Sequence, residues 1–251
     1  MTPIPADNRT DADPVAAAAA LLTATGVAVM SPLNLTRSLG VGREAWTRFA
    51  RHWDDLAQDP YAAELGVRRL RRYGHYLWRD RAWRLLPNGA FAQPDNSNPL
   101  YVGKNRDFEP LTDAFAQDPL LHALMRLLGR VATGLDDAAE WHVKVHPFRV
   151  QAVADGDGRP APEGPHRDGV TLVSSLMVRR RNTVGGQSSV CDLSGRPLLT
   201  TTLDEPGTLL LGDDRRTLHD VSPIRPIDHS ELAQRDVLVI TFAAADVTSH
   251  R

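Results

Sequence analysis

A histidine and an aspartate stand two residues apart in the sequence Glu-Gly-Pro-His-Arg-Asp-Gly, residues 163–169. On an extended segment, alternate residues point to the same side, so the imidazole of His166 and the carboxylate of Asp168 offer two ligands to one metal ion. His219, on a later short β-type segment, offers a third ligand. Two histidines and one carboxylate form the facial triad of non-haem Fe(II) oxygenases, which leaves coordination positions open. These three residues therefore predict an iron site.

The His-x-Asp pair alone is a weak signal, because chance often places a turn histidine beside a surface aspartate. Its surroundings favour a functional site, since residues 155–165 are rich in glycine and proline and form a polar loop rather than part of a core. A second pair, His142 and His146, has the i,i+4 spacing that suits a metal site on a helix, but its segment is typical of a strand. We therefore favour structural roles for that pair.

An arginine begins the last apolar β-type segment, residues 235–242. A guanidinium is a rigid fork of hydrogen-bond donors that suits a carboxylate, so Arg235 is a candidate for binding an anionic ligand. A salt bridge from Arg235 to Asp236, or to another acid, is the structural alternative. Arg225, which lies between two prolines, is a rival candidate in an exposed connection.

The composition excludes several classes of protein. The chain has 251 residues, which is enough to bury a sizeable core. Its 29 basic and 31 acidic residues give a net charge of −2, which offers no general attraction to nucleic acid or to an anionic membrane. The single cysteine, Cys191, excludes an internal disulfide and a cysteine-rich zinc site.

The most apolar stretch, residues 15–30, is shorter than the roughly 20 residues that span a bilayer. It is preceded mainly by aspartates, whereas a secretory signal begins with positive charges. We therefore expect a cytoplasmic protein with no membrane partner.

Helical patterns dominate the first half of the chain. The first helix is predicted from Pro14, with Asp13 as its N-terminal cap and Gly26 just past its end. Apolar residues at helical spacing predict further helices over residues 43–58 and 111–131.

From Trp141 onward the pattern changes to short β-type runs separated by turn residues, which predicts a sandwich or barrel. We expect residues 1–12 to form a flexible tail and residues 13–251 to form one domain. In that domain, mixed helical structure over 13–135 supports a β-core over 136–245. The β-type runs cover residues 141–153, 170–178, 187–193, 198–203, 207–211, 216–221 and 235–243.

Residues 68–84 interleave arginines with aromatic residues. Such a stretch can bind single-stranded nucleic acid, but the neutral overall charge argues against this function. The alternation around Tyr73, His75 and Leu77 predicts a strand instead.

Several short stretches carry a resemblance to a known family, which extends from about residue 20 to residue 245. Their motifs are much more specific than a lone His-x-Asp pair. The stretches are EGPHRDG (163–169), NTVGGQSSV (182–190), DDRRTLHDVSPI (213–224) and RDVLVITF (235–242), with RRYG (71–74) and NPLYVGKNRDFEPL (98–111) upstream.

Together these stretches resemble the Fe(II)/2-oxoglutarate-dependent dioxygenases, in particular the bacterial L-isoleucine-hydroxylase-like group. The resemblance implies a mostly β fold with α-helices, in which N-terminal helices buttress a double-stranded β-helix of the jelly-roll or cupin-like kind. It also implies Fe(II) bound by His166, Asp168 and His219. In this family 2-oxoglutarate chelates the iron while an arginine binds its distal carboxylate, and Arg235 is the matching position.

A hydroxyl group usually assists that arginine, and Thr241 or Thr171 would supply it. The implied reaction uses O2, decarboxylates 2-oxoglutarate to succinate and hydroxylates an aliphatic C–H of a free amino acid or a similar small molecule. Related halogenases lack the carboxylate ligand, so the presence of Asp168 favours hydroxylation or a related oxidation over halogenation.

Two other functions remain open. The same cofactor chemistry can give desaturation or oxidative cyclisation of a modified amino acid in natural-product biosynthesis. A non-catalytic cupin-like barrel that binds a small ligand or a metal is the alternative from another class.

A free amino acid would need an arginine and an acid in its pocket. Arg149, Gln151 and Arg167 are the candidate substrate-binding residues, because they lie on or beside the strand and loop that lead to the metal ligands. The loop over 154–165 would act as a lid, since its glycines permit closure. The glycine pair at 185–186 would allow a turn or close strand packing near the site.

Overall fold

The predicted tail over 1–12 and most of the predicted loop over 87–110 lie outside the residues that the computed structural model describes. The family-like stretch at 98–111 is therefore described only from Arg106 onward. The described residues are 13–80, 82–87, 106–154 and 156–245.

The first helix forms where the sequence predicts it. The Asp13 carboxylate accepts a hydrogen bond from the Val15 N–H at 3.0 Å, and the helix ends at Gly26, whose φ is +85°. The helices are α1 (Pro14–Thr25), α2 (Pro32–Leu39), α3 (Arg43–Ala50), α4 (Pro60–Glu64), α5 (Asp113–Ala116) and α6 (Pro119–Leu135), with a 3₁₀ turn at Arg51–Asp55.

Two predicted helices differ from the observed ones. The helix predicted over 43–58 is α-helical only to Ala50 and then tightens into the 3₁₀ turn, in which the Trp53 indole N–H donates to the Phe148 carbonyl of the sheet at 2.9 Å. The helix predicted over 111–131 is two helices. They divide at Asp118, because a residue before proline disfavours the helical conformation.

Most of the chain after Glu140 is β-structure, and each of the seven predicted runs matches one strand to within three residues at either end. The short strands Thr183–Gly185 and Ile224–Pro226 are not among the predicted runs. The strands are β1 (Val27–Met30), β2 (Ala57–Gln58), β3 (Arg68–Arg71), β4 (Gly74–Arg79), β5 (Ala82–Leu85), β6 (Glu140–Ala152), β7 (Leu172–Arg181), β8 (Thr183–Gly185), β9 (Gln187–Asp192), β10 (Pro197–Thr202), β11 (Leu209–Asp213), β12 (Thr217–Val221), β13 (Ile224–Pro226) and β14 (Ala233–Ala244).

The strands of the described residues form three antiparallel sheets. The main sheet has nine strands, with the order β1-β11-β7-β14-β6-β3-β2, and β4 and β5 extend it from β6. The smaller sheets have the orders β10-β9-β12 and β13-β8. This confirms the prediction of a mostly β fold with helices.

The main sheet is covered on both faces. On one face, side chains such as Val143, Val145 and Ile240 pack with the helices in the largest apolar cluster. On the other face, Met177 and Val237 pack against residues of the smaller sheets. Central strands are therefore buried on both sides, and the site lies between the main and the smaller sheets. No helix in the described part of the chain is long and apolar enough to cross a membrane.

Candidate functional site

A pair of main-chain hydrogen bonds joins the two candidate histidine ligands. The His166 N–H donates to the His219 carbonyl at 3.0 Å, and the His219 N–H donates to the His166 carbonyl at 2.9 Å. His219 belongs to β12, whereas His166 lies in the loop that leads to β7. With Asp168, they place one candidate ligand atom each within 4.8 Å of one another.

The orientation of the imidazole rings suits metal binding. The Nδ1 atom of His166 lies 2.8 Å from the Gly164 carbonyl, which can only accept, so Nδ1 carries the proton and Nε2 keeps its lone pair. The Nε2 atom of His219 lies 3.8 Å from the Asp168 carboxylate. Burial lowers the pKa of His219, which favours the neutral imidazole that binds metals.

Asp214 supports the ligand loop, a role that the sequence analysis missed. Its buried carboxylate accepts hydrogen bonds from the N–H groups of Asp168, Gly169 and Val170 at 3.1, 2.8 and 3.0 Å. It also lies 3.7 Å from Nδ1 of His219. The available signal was its position, five residues before His219 in a family-like stretch. Asp214 therefore links both ligand segments.

The three candidate ligands open onto a cavity of about 140 Å3. Six valines contribute aliphatic surface, and β3, β6 and β14 each contribute at least one charged side chain. The lining residues are Arg69, Arg71, Arg106, Lys144, His146, Phe148, Val150, Pro160, Ala161, Glu163, His166, Asp168, Val170, Val173, Ser175, His219, Val221, Arg235, Val237, Val239 and Thr241.

Arg235 lines this cavity, as its candidate role requires. It is only 2% exposed, and its Nε has no hydrogen-bond partner among the described residues. Burial, and then the charge of Arg180, lower the pKa of Arg235 to about 10. Gly186 lies so close that a Cβ there would stand 3.1 Å from the Arg235 Cδ. The buried guanidinium thus has the surroundings of a group that binds an anion.

The two threonine candidates are placed differently. Thr241 is buried and lines the cavity. Thr171 is also buried, but it is not among the lining residues, and its N–H donates to the Phe242 carbonyl. Of the two, the structure brings Thr241 to the site.

The candidate substrate residues Arg149, Gln151 and Arg167 are not among the residues that line the cavity. The strand β6 explains the first two, because its even-numbered residues from Lys144 to Val150 face the cavity and its odd-numbered residues face the other side. Arg149 donates two hydrogen bonds to the Asp236 carboxylate, at 2.8 and 2.9 Å. Arg167 is partly exposed and contacts the Arg215 carbonyl.

Other side chains of the protein contact both the His142 and His146 pair and the arginine-rich stretch over residues 68–84. His142 contacts His75 at 3.0 Å, and His146 contacts Arg71 at 2.7 Å, so the two histidines of the i,i+4 pair have separate neighbours. In the arginine-rich stretch, Arg69 is buried and donates to Asp59 at 2.9 Å. The stretch therefore does not present all its arginines as a basic surface.

A family model for 2OG-Fe dioxygenases matches residues 50–241. The chain belongs to this family. A solved structure of a BsmA homologue from Methylobium petroleophilum PM1 is 33% identical, with a TM-score of 0.83, covering 92% of this chain and 93% of that chain. No curated protein matches the chain.

Two more distant structures share the fold of this dioxygenase. IDO from Bacillus thuringiensis is 18% identical with a TM-score of 0.76, covering 92% of this chain and 96% of that chain. The Fe(II)/α-ketoglutarate-dependent dioxygenase TqaL is 17% identical with a TM-score of 0.75, covering 94% of this chain and 88% of that chain. The fold is that of 2OG-Fe oxygenases with a jelly-roll core. The isoleucine-hydroxylase-like subgroup is not confirmed.

The protein is therefore a 2-oxoglutarate-dependent dioxygenase that uses Fe(II), 2-oxoglutarate and O2. Its own residues fit these cofactors. Two imidazoles and a carboxylate are a donor set for Fe(II) with open positions. The Arg235 Nε has no hydrogen-bond partner in the described part of the chain and lies in a cavity shared with these donors, so it fits the distal carboxylate of 2-oxoglutarate.

Proposed function

We propose that this dioxygenase hydroxylates an aliphatic C–H bond of a free amino acid or a similar small molecule, while 2-oxoglutarate is decarboxylated to succinate. In this proposal His166, Asp168 and His219 hold the iron, and Arg235 binds the co-substrate. One observation carries the proposal: the three candidate ligands and the buried guanidinium of Arg235 line the same small cavity.

The valines support an aliphatic substrate. Val173, Val221, Val237 and Val239 line the cavity together with the candidate metal ligands. Their methyl groups contact an aliphatic chain without competing for hydrogen bonds, and they exclude water from the reacting carbon. A cavity of about 140 Å3 favours a small molecule over a folded partner.

Each polar group has a defined task in the proposed reaction. Bound Fe(II) supplies the oxidising chemistry with O2 and 2-oxoglutarate. The His166 ring is held by its Nδ1–H on the Gly164 carbonyl, and the Asp168 segment is held by the Asp214 carboxylate. Arg235 binds the distal carboxylate of 2-oxoglutarate and so orients this co-substrate. Thr241 lines the same cavity.

The predicted lid has a place in this proposal. Pro160, Ala161 and Glu163, from the second half of the loop over 154–165, line the cavity. Closure of this loop over a bound substrate would keep water from the site.

The proposal is tested with Fe(II)-loaded protein, O2, 2-oxoglutarate and a panel of proteinogenic and non-proteinogenic amino acids. Succinate formed only with a given amino acid, together with a product heavier by one oxygen atom, supports hydroxylation. His166→Ala should abolish both signals, whereas His142→Ala, at a histidine outside the cavity, should retain them. A product that has lost two hydrogens would replace hydroxylation by desaturation or cyclisation. Succinate formation that persists in His166→Ala would contradict the proposed iron site.

A further inference from the structure

Two arginines stand directly opposite each other on neighbouring strands, at the end of the cavity that holds Arg235. In the antiparallel pair of β7 and β14, Arg180 is the register partner of Arg235. Beside them, Arg179 donates to the Asp236 carboxylate at 3.0 Å. Successive residues of a strand point to opposite faces of the sheet. Arg180 therefore shares the face of Arg235, which lines the cavity, and not the face of the neighbouring ion pair.

The pairing of two arginines across the strands is electrostatically unfavourable. Like charges directly opposite each other destabilise a sheet. Arg235 is almost completely buried, so water screens the repulsion less than it would at the surface. The charge of Arg180 accordingly lowers the pKa of Arg235, after the larger effect of burial. An anion bound at this end of the cavity would offset the repulsion.

The charge of Arg180 is offset only weakly by its neighbours. Its Nε lies 3.4 Å from the Asp204 carboxylate, but that side chain is 69% exposed, and exposed ion pairs contribute little. Its Nη2 donates to the carbonyls of Thr183 and Gly185 at 3.2 and 2.9 Å, and these acceptors are neutral. Its Nη1 is buried and has no hydrogen-bond partner in the described part of the chain. Arg180 thus keeps both an unused donor and most of its charge.

The side chains of the two arginines approach each other at Gly186. A Cβ built on this glycine would stand 3.1 Å from the Arg180 Nη1 and 3.1 Å from the Arg235 Cδ. The Arg235 Nε is bonded to that Cδ, and it too lacks a hydrogen-bond partner among the described residues. The absence of a side chain at Gly186 therefore leaves room for two arginines that each have a buried, unused N–H group.

The two arginines differ in their relation to the cavity. Arg235 lines it, whereas Arg180 is not among the lining residues. The two hydrogen bonds from Arg180 hold the carbonyls of Thr183 and Gly185, the first and last residues of β8, directly before Gly186. Arg180 thereby keeps Gly186 packed beside Arg235. Its influence on a ligand in the cavity passes through Arg235 and through its own charge.

We propose that Arg180 and Arg235 together form the site for the distal carboxylate of 2-oxoglutarate. Arg235 contacts the carboxylate, and Arg180 is a positioning residue that also contributes its positive charge. This inference rests on the co-substrate role of Arg235 in the proposed function. A bound carboxylate offsets the repulsion between the two arginines, so the pair favours an anion more than one arginine alone would. Arg180 therefore helps to select a 2-oxo acid with a second carboxylate over one that ends in a methyl group.

The test compares two 2-oxo acids that share the metal-chelating end. 2-Oxoglutarate carries a distal carboxylate, and 2-oxopentanoate carries a methyl group in its place. Calorimetry with Mn²⁺-loaded protein in the absence of O2 gives both dissociation constants without turnover. Arg180→Gln should weaken the binding of 2-oxoglutarate about tenfold, because it removes a charge that acts on the distal carboxylate. The binding of 2-oxopentanoate should stay unchanged, which also shows that the variant is folded.

Three further variants separate the charge of Arg180 from a purely structural role. Arg180→Lys keeps the charge and should retain most of the affinity for 2-oxoglutarate. In Arg235→Gln protein, the additional change Arg180→Gln should weaken binding less than it does in the unaltered protein, since Arg180 acts through Arg235. Arg181→Gln is the matched control, because Arg181 is the next residue of β7 but is exposed and does not line the cavity. It should bind both acids like the unaltered protein.

Unchanged affinity of Arg180→Gln for 2-oxoglutarate would overturn the inference, as would an equal loss of affinity for both acids. A loss that Arg180→Lys shares in full would overturn the role of the charge. Failure of the proposed function is a separate result: Arg235→Gln protein that binds 2-oxoglutarate as tightly as the unaltered protein would refute the co-substrate role of Arg235 itself. Weakened binding in Arg235→Gln with none in Arg180→Gln would refute the inference alone.

Discussion

His166 and His219 are 53 positions apart in the sequence, yet their main chains are hydrogen-bonded to each other in both directions, at 3.0 and 2.9 Å. The spacing of the two candidate ligands is therefore set by the backbone rather than by the metal ion. Because the main chain already holds the two ligand residues together, binding of the ion does not have to order them.

This relationship predicts that the fold tolerates loss of the ligands. In metal-free protein, His166→Ala and His219→Ala should change the free energy of unfolding by no more than about 1 kcal/mol, because the main-chain bonds do not need the imidazole. Added Fe(II) or Mn²⁺ should raise the melting temperature of the unaltered protein but not of either variant, since only bound ligand stabilises the native state. Thermal unfolding with and without metal measures both effects. Metal stabilisation that persists in either variant would place the ion elsewhere.

Asp214→Asn should impair the site without removing a ligand. An asparagine has one acceptor oxygen where the carboxylate has two, so at least one of the N–H groups of Asp168, Gly169 and Val170 loses its acceptor. We expect a loss of about 1–3 kcal/mol in the free energy of unfolding. The affinity for metal should fall too, by about tenfold or more.

Metal titration and chemical denaturation check the Asp214 prediction, with Asp137→Asn as the exposed control at the end of α6. A stability loss without any change in metal affinity would show that Asp214 supports the loop but not the ligand geometry.

Gly186 should be needed for tight binding of 2-oxoglutarate. An alanine Cβ at this position would stand 3.1 Å from Arg235 Cδ and 3.0 Å from the Ile224 side chain, and its φ of +68° is strained for alanine. Gly195 has a similar φ of +86° but no atom within 4 Å of such a Cβ, so Gly195→Ala carries the strain without the crowding. Both variants should lose stability, but only Gly186→Ala should raise the KM for 2-oxoglutarate, by about tenfold if one charged contact is weakened. Equal KM values for the two variants would refute the prediction.

The elements whose signals are local could be predicted from the sequence alone. Asp13, Pro14 and Gly26 mark both ends of α1 because capping and turn preferences act within a few residues. The β-type runs matched strands because turn residues separate them. Asp118-Pro119 also marks the start of α6 correctly, but the prediction joined it to the preceding helix.

Which face of a strand meets the cavity could not be predicted from the sequence. The alternation along β6 gives no answer, because Val143 and Val145 are buried under the helices while Phe148 and Val150 face the cavity. A sheet buried on both faces lacks the polar-and-apolar alternation that would assign its sides. Arg149 was a candidate substrate residue for this reason, whereas Arg71 comes to the cavity only through the pairing of β3 with β6.

Arg149 pairs with a buried carboxylate and does not line the cavity. The Asp236 carboxylate is fully buried and accepts hydrogen bonds from Arg149 at 2.8 and 2.9 Å and from Arg179 at 3.0 Å. Because neighbouring strand residues point to opposite faces, Asp236 binds these arginines while Arg235 faces the cavity. Arg149 should therefore stabilise the fold rather than bind substrate.

Removing one partner leaves a buried charge with fewer hydrogen bonds, so Arg149→Leu and Asp236→Leu should each cost about 3–5 kcal/mol of stability. The double variant should lose less than the sum of the two, since it leaves neither partner behind. Chemical denaturation of the four proteins measures this coupling, and steady-state kinetics of Arg149→Leu at a temperature where it is folded measures the KM for substrate. An Arg149→Leu protein of unchanged stability with a strongly raised substrate KM would return Arg149 to the substrate site. Additive stability losses would show that the two side chains act independently despite the short distances between them.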